Sequence, residues 1–568
     1  MNKKSFWLFF IIFLGIILFV FRSLIFNISS NLYSWLDLPY VIWVIYQGIG
    51  KIFNLSFLNF GATNAFYPIT DSYFFSDLLL PQAILAYPLS LFTSNPVLVV
   101  NIVFLVTLTL NYIFLFLFWS IWFKKNWQCF IASIVFIFSP FFHSQLGHFQ
   151  MMSYWPFFAS LYFFLKREGF HVRESLFSGI FLVLQFLSSV YLSVFLIFSL
   201  CLNVFIKFVQ HRKLDKVKSL LIVFFVFIVG AGFFIYNYIL VKKHYGFVRD
   251  YGEYVAYSAH LTDYLFTTGI GSFSNNLAIV KKWNSFNKHF IGERASFPGL
   301  TITVVFILYE LYAVRNKSSI RVGIRLDRTD LYFMCLVIIG FFFSLGPRLS
   351  FNGAYSGIPT LYTFLIKYVP FFDSVRGLAR WSFIFYLGLT YFFVKYVENK
   401  KLWLVAILFL FCLFEYLPVN LKTTKENYLD FGTDNILKSE CFSANQKQIL
   451  LEIPVTHLTV GKGIYVGLNY ISKRQLASTY HGCLLVNGYS GYEPPSQTEY
   501  YSSIESSLSG GMSDELLMAL KDRRVNFLRV SPELISEKER ANYLNTLEKL
   551  VVNNKIIKVA DFLYRVRY

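Results

Sequence analysis

The chain is dominated by long runs of Phe, Leu, Ile and Val, which short basic patches separate. We predict about eleven membrane-spanning helices from these runs; several fall short of the usual length of about twenty residues and are completed by flanking aromatic residues. The predicted bounds are 6–26, 97–122, 128–142, 153–166, 176–190, 192–209, 219–238, 298–314, 330–346, 381–397 and 402–418. The sequence therefore predicts an α-helical polytopic membrane protein.

Composition supports this class. Of 568 residues, 56% are hydrophobic and only 15% are charged, which is too little polar surface to cover a soluble protein of this length. The net charge of +19 would suit a nucleic acid, but many of the Lys and Arg residues lie in short loops between apolar runs. We therefore predict no nucleic-acid partner. The apolar N-terminal segment lacks a cleavage site and is predicted to be a retained span.

The distribution of basic residues predicts the topology. With the N-terminus in the cytoplasm, every short basic loop falls on the cytoplasmic side, as the positive-inside rule requires. These loops contain Lys124, Lys125, Lys166, Arg167, Arg173, Arg212, Lys213, Lys216, Lys218, Arg315, Lys317, Arg321, Arg325, Arg328, Lys400 and Lys401. The loops 27–96, 239–297 and 347–380 then lie outside. Within the first, the Pro-interrupted segment 78–92 is predicted to be an interfacial or re-entrant helix.

The chain is predicted to divide into a transmembrane domain, 1–418, and a small extracytoplasmic α/β domain, 419–568. Strands are predicted within 448–454, 525–531 and 562–568, and amphipathic helices within 513–524 and 536–552. Cys441 and Cys483 of this tail can form a disulfide bond if the tail lies in an oxidising compartment, and the sequence does not decide whether they do.

One carboxylate, Asp37, stands among aromatic and aliphatic residues in "SWLDLPYVIW". It suits the N-cap of a helix with Pro39 in its first turn. The apolar face of that helix predicts that it lies along the membrane surface, with Trp35, Tyr40 and Trp43 at headgroup level. A carboxylate at the outer face also suits a base that takes a proton from an acceptor.

Two further carboxylates, Asp71 and Asp77, follow in "YPITDSYFFSDLLLPQ". Acidic groups at a membrane face are costly unless they are solvated, paired or bound to a metal. They suit proton transfer or a divalent cation, and equally solvated loop or capping positions.

Polar and charged residues gather in three more outer segments. His143, His148 and Gln150 of "HSQLGHFQ" suit a sugar or phosphate, or simple solvation at the interface; the histidine spacing is not that of a helical metal pair. Arg376 and Arg380 of "FFDSVRGLARWSF" are four residues apart and are predicted to share a helical face that binds phosphate. Their alternatives are ordinary anionic lipid or pairing with Asp373.

Two short motifs complete the candidates. Glu293 and Arg294 of "GERASFPG" either contact the site or form an ion pair with the surrounding loop. Tyr489, Tyr492 and Glu493 of "VNGYSGYEPP" suit stacking on a sugar, although such turn-rich loops are often structural.

In this order, the segments resemble the GT-C superfamily of polytopic glycosyltransferases, and more narrowly a bacterial group of GT-C-like membrane proteins. The resemblance rests on "SWLDLP", "SDLLLPQAILAYPLSLFTSNPV", "FSPFFHSQLGHFQ", "GERASFPGL", "GPRLSFNG", "GIPTLYTFLIKYVPFFDSVRGLAR" and "LLVNGYSGYEPP". It implies a polyprenyl-phosphate sugar donor, with Asp37 activating or orienting the acceptor and Asp77 as a second acidic residue. It also implies that Arg376 and Arg380 lie near the donor phosphate. The chain lacks a tight Asp-x-Asp pair, so a divalent cation is left open.

The residues and the resemblance together predict an inverting transferase in the bacterial cytoplasmic membrane. It would move a sugar to a glycan, lipid or protein acceptor at the outer face. The alternatives are a flippase for lipid-linked glycans and a non-catalytic membrane protein. A flippase would carry polar residues along the middle of its spans, where this chain has mostly Phe, Leu, Ile and Val.

Overall fold

The computed structural model describes residues 3–33, 37–54, 59–211, 214–266, 272–287, 292–317, 327–369, 372–419, 421–444, 446–455 and 464–568. Trp35 and four of the basic loop residues, Arg212, Lys213, Arg321 and Arg325, lie outside the described residues.

The helices are α1 (Lys3–Val20), α2 (Arg22–Phe26), α3 (Leu38–Asn54), α4 (Leu80–Ser90), α5 (Pro96–Trp119), α6 (Asn126–Ile137), α7 (Pro140–Gln145), α8 (Phe149–Met152), α9 (Trp155–Leu165), α10 (Val172–Ser188), α11 (Val190–His211), α12 (Asp215–Tyr245), α13 (Tyr251–Ala256), α14 (Ala278–Asn284), α15 (Leu300–Lys317), α16 (Arg328–Ser344), α17 (Leu361–Tyr368), α18 (Ser382–Val397), α19 (Leu402–Tyr416), α20 (Phe431–Ser443), α21 (Ile464–His481), α22 (Pro495–Ser509), α23 (Ser513–Asp522) and α24 (Glu537–Val552). The strands are β1 (Asn31–Leu32), β2 (Arg348–Phe351), β3 (Ala354–Pro359), β4 (Thr424–Lys425), β5 (Ile449–Ile453), β6 (Leu484–Leu485), β7 (Phe527–Val530), β8 (Ile556–Ala560) and β9 (Leu563–Val566).

The apolar runs of the sequence form helices. Within the described part of the chain, four of them, α1, α5, α11 and α12, are long and apolar enough to cross a membrane. The chain is therefore an integral membrane protein. Each predicted span overlaps one of the helices above, but several of these helices are short, and the total number of spans stays a prediction.

The chain divides into two compact units, and the first comprises Met1–Asn27, Phe104–Gly232 and Val248–Thr423. Helix α18 is central to this unit: every residue from Ser382 to Val394 is buried, and the helix packs against α16, α15 and α6. The closest approach is to α16, where a Cβ atom on Gly388 would lie 2.6 Å from the carbonyl oxygen of Phe333. Only glycine fits there, because a larger side chain would collide with the backbone of α16.

The second unit comprises Ile28–Val103, Phe233–Phe247 and Thr424–Tyr568. Its five-stranded sheet has the order β6-β5-β7-β9-β8, in which β5 runs parallel to β6 and β7, and β9 runs antiparallel to β7 and β8. A disulfide bond between Cys441 and Cys483 joins helix α20 to the start of β6. The tail thus packs in one unit with the long loop that contains Asp37.

Helix α3 follows Asp37 and is an internal helix of the second unit. It packs against α21 and α4. The side chains of Trp43 and Gln47 both donate to Oδ1 of Asn64 over 2.9 Å, and the Asn64 amide donates to Ser478 of α21. Tyr40 and Trp43, predicted to lie at headgroup level, are therefore buried by protein. The amphipathic pattern of α3 does not indicate that α21 and α4 cover it.

Candidate functional site

The candidate base is the carboxylate of Asp37, which the structure places directly before α3. Its backbone carbonyl accepts the first helical hydrogen bond, from the Val41 N–H at 2.9 Å, as expected at an N-cap position. Its Oδ1 atom accepts a 2.7 Å hydrogen bond from the hydroxyl of Tyr489. Asp37 is only partly exposed. Its carboxylate is therefore held in place by the tail rather than by its own helix alone.

Tyr40, one turn along α3, links the same residues. Its hydroxyl shares a 2.9 Å hydrogen bond with Ser490, and its ring meets that of Tyr489 edge-on at 5.3 Å. The pKa of Tyr40 is raised to about 12, mainly by burial, and the negative charges of Asp77 and Asp37 add to the rise. Both carboxylates therefore lie near this neutral phenol, which brings two of the predicted acidic residues to one place.

The loop that carries Tyr489 is itself fixed within the second unit. The backbone N–H of Tyr489 donates to Oε1 of Gln475 over 2.7 Å. Tyr492 stacks on Phe247 with ring centroids 4.7 Å apart, and Glu493 accepts from Thr498. Tyr492 and Glu493, which the sequence suggested for sugar stacking, thus have structural contacts, and Tyr489 is the member of the loop that meets a predicted site residue.

Asp71 occupies a different position from Asp77. It precedes the short 3-10 helix Ser72–Phe75 and interacts with the hydroxyl of Tyr245. Among the residues that the structure describes, no group of three or more His, Cys, Asp or Glu side chains is placed to hold a metal ion.

A second cluster, in the first unit, surrounds Glu293. Its Oε2 atom lies 3.1 Å from Nη2 of Arg380, and its Oε1 atom lies 3.4 Å from Nε2 of His148. Burial alone would raise the pKa of Glu293, but His148 and the guanidinium groups of Arg380 and Arg376 outweigh it and hold the pKa well below its usual value. Glu293 is thus a carboxylate anion within a basic cluster.

Both arginines of this cluster lie against tyrosine rings. The guanidinium of Arg376 lies 4.9 Å from the ring centre of Tyr257, and that of Arg380 lies 4.7 Å from the ring centre of Tyr191. The Tyr191 hydroxyl also accepts from the backbone N–H of Arg376 at 3.0 Å. Arg376 precedes the 3-10 helix Leu378–Trp381, so the shared helical face that we predicted is replaced by a common contact with Tyr191.

The cluster has the chemistry of an anion site. The guanidinium groups of Arg376 and Arg380 both act on the carboxylate of Glu293. The carboxylate of Glu253 also acts on Arg376 and is itself paired with Arg249 at 3.4 Å, so three arginines outnumber two carboxylates. Arg380 is 6% exposed, and its Nε atom is buried with no hydrogen-bond partner in the described part of the chain. The buried Oε1 atom of Gln150, another predicted binding residue, also has no hydrogen-bond partner in the described part of the chain, but an amide oxygen only accepts and so does not add to an anion site. A buried guanidinium donor is costly to leave unused and suits a phosphate oxygen.

Two predicted residues point elsewhere. His143 is buried, its Nε2 atom lies 2.6 Å from the carbonyl oxygen of Tyr416, and burial lowers its pKa to about 4. Arg294 is also buried: Nη1 lies 2.7 Å from His260 Nε2, and Nε lies 3.5 Å from Asp263 Oδ2. Arg294 thus contacts His260 and Asp263, whereas its sequence neighbour Glu293 contacts Arg380 and His148.

Sequence reasoning missed the tyrosines that organise both clusters. Tyr191 stands at the break between two predicted spans, and Tyr257 lies in a long loop without a periodic pattern. The sequence predicts Tyr40 at the membrane interface, whereas the structure buries it. A lone tyrosine among 38 carries no local signal, because its role depends on which distant side chains the fold brings to it.

Solved structures with this architecture define the class. The structure aligns with the mycobacterial arabinofuranosyltransferase AftD at a TM-score of 0.55 and 12% identity, covering 95% of this chain and 40% of AftD. It aligns with the oligosaccharyltransferase of Archaeoglobus fulgidus, tethered to an acceptor peptide, at a TM-score of 0.53 and 10% identity, covering 93% of this chain and 69% of that one. It also aligns with the oligosaccharyltransferase AglB from Archaeoglobus fulgidus in complex with dolichol-phosphate and an inhibitory peptide. The TM-score is 0.53 and the identity 10%, and the alignment covers 94% of this chain and 70% of that one. The chain therefore has the GT-C fold, as the sequence resemblance predicted.

Within that class, residues 43–415 match the model of DUF6311, described as a domain of unknown function. The chain belongs to the DUF6311 family. No curated protein matches it. It spans less than half the length of AftD.

Proposed function

We propose that this protein is an inverting glycosyltransferase that uses a polyprenyl-phosphate-linked sugar and an acceptor at the outer membrane face. The observation that carries the proposal is the Asp37 carboxylate, held by the Tyr489 hydroxyl at the start of α3 in a chain with the GT-C fold. The fold alone supports glycosyl transfer only as a class, since one fold hosts many functions.

Two features of Asp37 support the role of a base. Its Oδ1 atom is occupied by the Tyr489 hydroxyl, which fixes the carboxylate, and its partial exposure leaves it accessible to an acceptor. In the proposed step the carboxylate takes the proton of an acceptor hydroxyl or amine as that atom attacks the anomeric carbon. The bond from the anomeric carbon to the phosphate oxygen breaks, and the polyprenyl phosphate leaves with the electron pair. Asp77 adds negative charge near Tyr40 and supports acceptor orientation.

The cluster of Arg376, Arg380, His148 and Glu293 suits the donor phosphate. Negative charge grows on the phosphate as it leaves, and fixed guanidinium groups in a water-poor site stabilise such charge strongly. The Nε atom of Arg380 supplies a donor that requires no loss of an existing hydrogen bond. Glu293 orients Arg380 before the donor arrives.

A transfer assay tests the function. The purified full-length protein, in liposomes, is given radiolabelled polyprenyl-phosphate sugars of several kinds together with glycan, lipid and peptide acceptors. We expect the label to move to one acceptor class, with release of polyprenyl phosphate. Movement of the intact labelled lipid between leaflets without a new glycosidic product would contradict the proposal and favour a flippase. Absence of both transfer and movement across the whole panel would also contradict it.

A further inference from the structure

A β-hairpin and a short helix follow the end of α16 and expose several large apolar side chains. Strands β2 and β3 pair as an antiparallel hairpin, and α17 follows directly. Asn352 and Gly353 form its turn with φ angles of 43° and 85°, as tight two-residue hairpin turns require.

This element is anchored firmly on one side. The backbone N–H of Asn352 donates to Thr262 Oγ1 over 3.2 Å, and the Thr363 hydroxyl donates to the carbonyl of Pro347 over 2.6 Å. Tyr362 is buried, and its hydroxyl accepts from Trp381 Nε1. The orientation of α17 is therefore fixed, and so is the face that it turns away from the protein.

That outward face is apolar. Leu361 is 64% exposed, Phe364 is 56% exposed and Tyr368 is 67% exposed, and their i, i+3, i+7 spacing places them on one side of the helix. Phe351 and Ile358 of the hairpin are similarly exposed. An exposed apolar face of this kind marks a site that contacts either another protein or the membrane.

The apolar face continues onto α16. A cavity of about 320 Å³ is lined by Ile338 and Phe342 of α16, by Leu349 of the hairpin and by Leu361 of α17. Ile338 and Phe342 are themselves exposed. Helix α16 packs against α11, which is one of the four helices able to cross a membrane. The exposed side of the hairpin and α17 is thus continuous with a helix of the membrane bundle.

We propose that the hairpin β2–β3 and helix α17 form an interfacial anchor that inserts its apolar face into the lipid headgroup and acyl boundary of the bilayer. Lys367 supports a lipid surface in particular: it is exposed, and its ammonium lies 5.2 Å from the ring centre of Tyr368. A lysine beside an exposed tyrosine is typical of the interface, where the ammonium reaches headgroup phosphates while the ring stays at the boundary. The anchor would hold the adjacent loop at a fixed depth.

Spin labels test the depth of α17 directly. Full-length protein carrying Cys201→Ser and Cys335→Ser, which remove the two half-buried native thiols, receives Leu361→Cys or Phe364→Cys. Met518→Cys is the matched control, since Met518 is an equally exposed apolar residue of α23. Each thiol is labelled with a nitroxide in liposomes, and its collision rates with oxygen and with a water-soluble nickel chelate are measured.

We expect oxygen to reach the labels at 361 and 364 better than nickel does, because oxygen concentrates in the bilayer, and we expect the reverse order at 518. Better access by nickel at 361 and 364 would place the helix in water and overturn the proposal. Protection from both reagents would overturn it too, because the face would then be covered by protein, for example by a second copy of the chain.

Discussion

The hydroxyl of Tyr489 donates a 2.7 Å hydrogen bond to Oδ1 of Asp37, although 452 positions separate the two residues in the chain. The tail therefore supplies a positioning group to the carboxylate that we propose as the base. Asp37 lies in the long loop after α1, and the contact occurs within the second compact unit, which contains both segments.

Tyr489→Phe removes this hydrogen bond and leaves the ring in place against Tyr40. We expect glycosyl transfer to fall by about tenfold, because one hydrogen bond to a charged group contributes about 1.5 kcal/mol or more. Transfer is measured at saturating donor and acceptor. The matched control is Tyr480→Phe, which removes a hydroxyl that donates to Asn435 elsewhere in the tail. Equal rates for Tyr489→Phe and wild type would contradict the positioning role.

Arg380→Lys tests the donor-phosphate cluster. Lysine keeps the charge but lacks the planar fork, so we expect kcat/KM for the donor to fall by about tenfold, and by about a hundredfold or more in Arg380→Ala. Arg567→Ala, at an exposed arginine, is the control.

Since Arg380→Ala removes the guanidinium partner of the buried Glu293 carboxylate, the double variant with Glu293→Ala separates loss of charge stabilisation from loss of folding. A well-folded double variant with wild-type donor kinetics would contradict the phosphate role.

The disulfide bond tests the compartment of the tail. Of six cysteines, the structure pairs Cys441 with Cys483 and leaves Cys129, Cys201, Cys335 and Cys412 as free thiols. Maleimide-polymer labelling of denatured protein from intact cells should add four labels before reduction and six after it. Labelling of all six before reduction would contradict an extracytoplasmic tail.

The same disulfide bond should stabilise the tail. Closing a loop across 42 positions stabilises the folded state by about 4 kcal/mol in the chain-entropy account, so the double variant Cys441→Ser, Cys483→Ser should make the tail more sensitive to proteolysis.

His143 should make stability depend on pH. Burial lowers its pKa from 6.5 to about 4, so between these values the unfolded chain binds more protons than the folded chain. The free energy of unfolding should therefore fall as the pH falls through this window, by about 3 kcal/mol in total. His143→Gln should show a smaller drop in Tm between pH 8 and pH 5, whereas His171→Gln should behave as wild type. An unchanged drop in His143→Gln would contradict this origin.

The segments with strong periodicity could be predicted from sequence. The apolar runs form helices such as α5 and α11, and the predicted strand segments contain β5, β7 and β9. These features depend on local pattern and composition. Four of these helices are long and apolar enough to cross a membrane, which agrees with the predicted class of membrane protein.

The pairing of distant segments could not be predicted in the same way. The burial of Trp43 depends on Asn64 and on Ser478 of α21, and no periodicity in α3 indicates which helix covers it. The spacing of four residues predicts a shared helical face for Arg376 and Arg380, but the backbone at 375–377 is irregular and the 3-10 helix begins only at Leu378, so the two residues share a contact with Tyr191 instead. Tertiary contacts of this kind override local spacing.

The replacement of Asp37 by Asn tests the central claim most directly. Asn keeps the shape and still accepts a hydrogen bond from Tyr489, but it cannot take up a proton at neutral pH. Transfer from the labelled donor is measured in membranes with equal amounts of folded protein, beside Asp561→Asn at an exposed carboxylate of the tail. We predict that Asp37→Asn lowers the rate by at least about a hundredfold while Asp561→Asn leaves it unchanged. Undiminished transfer by Asp37→Asn would contradict the assignment of Asp37 as the base.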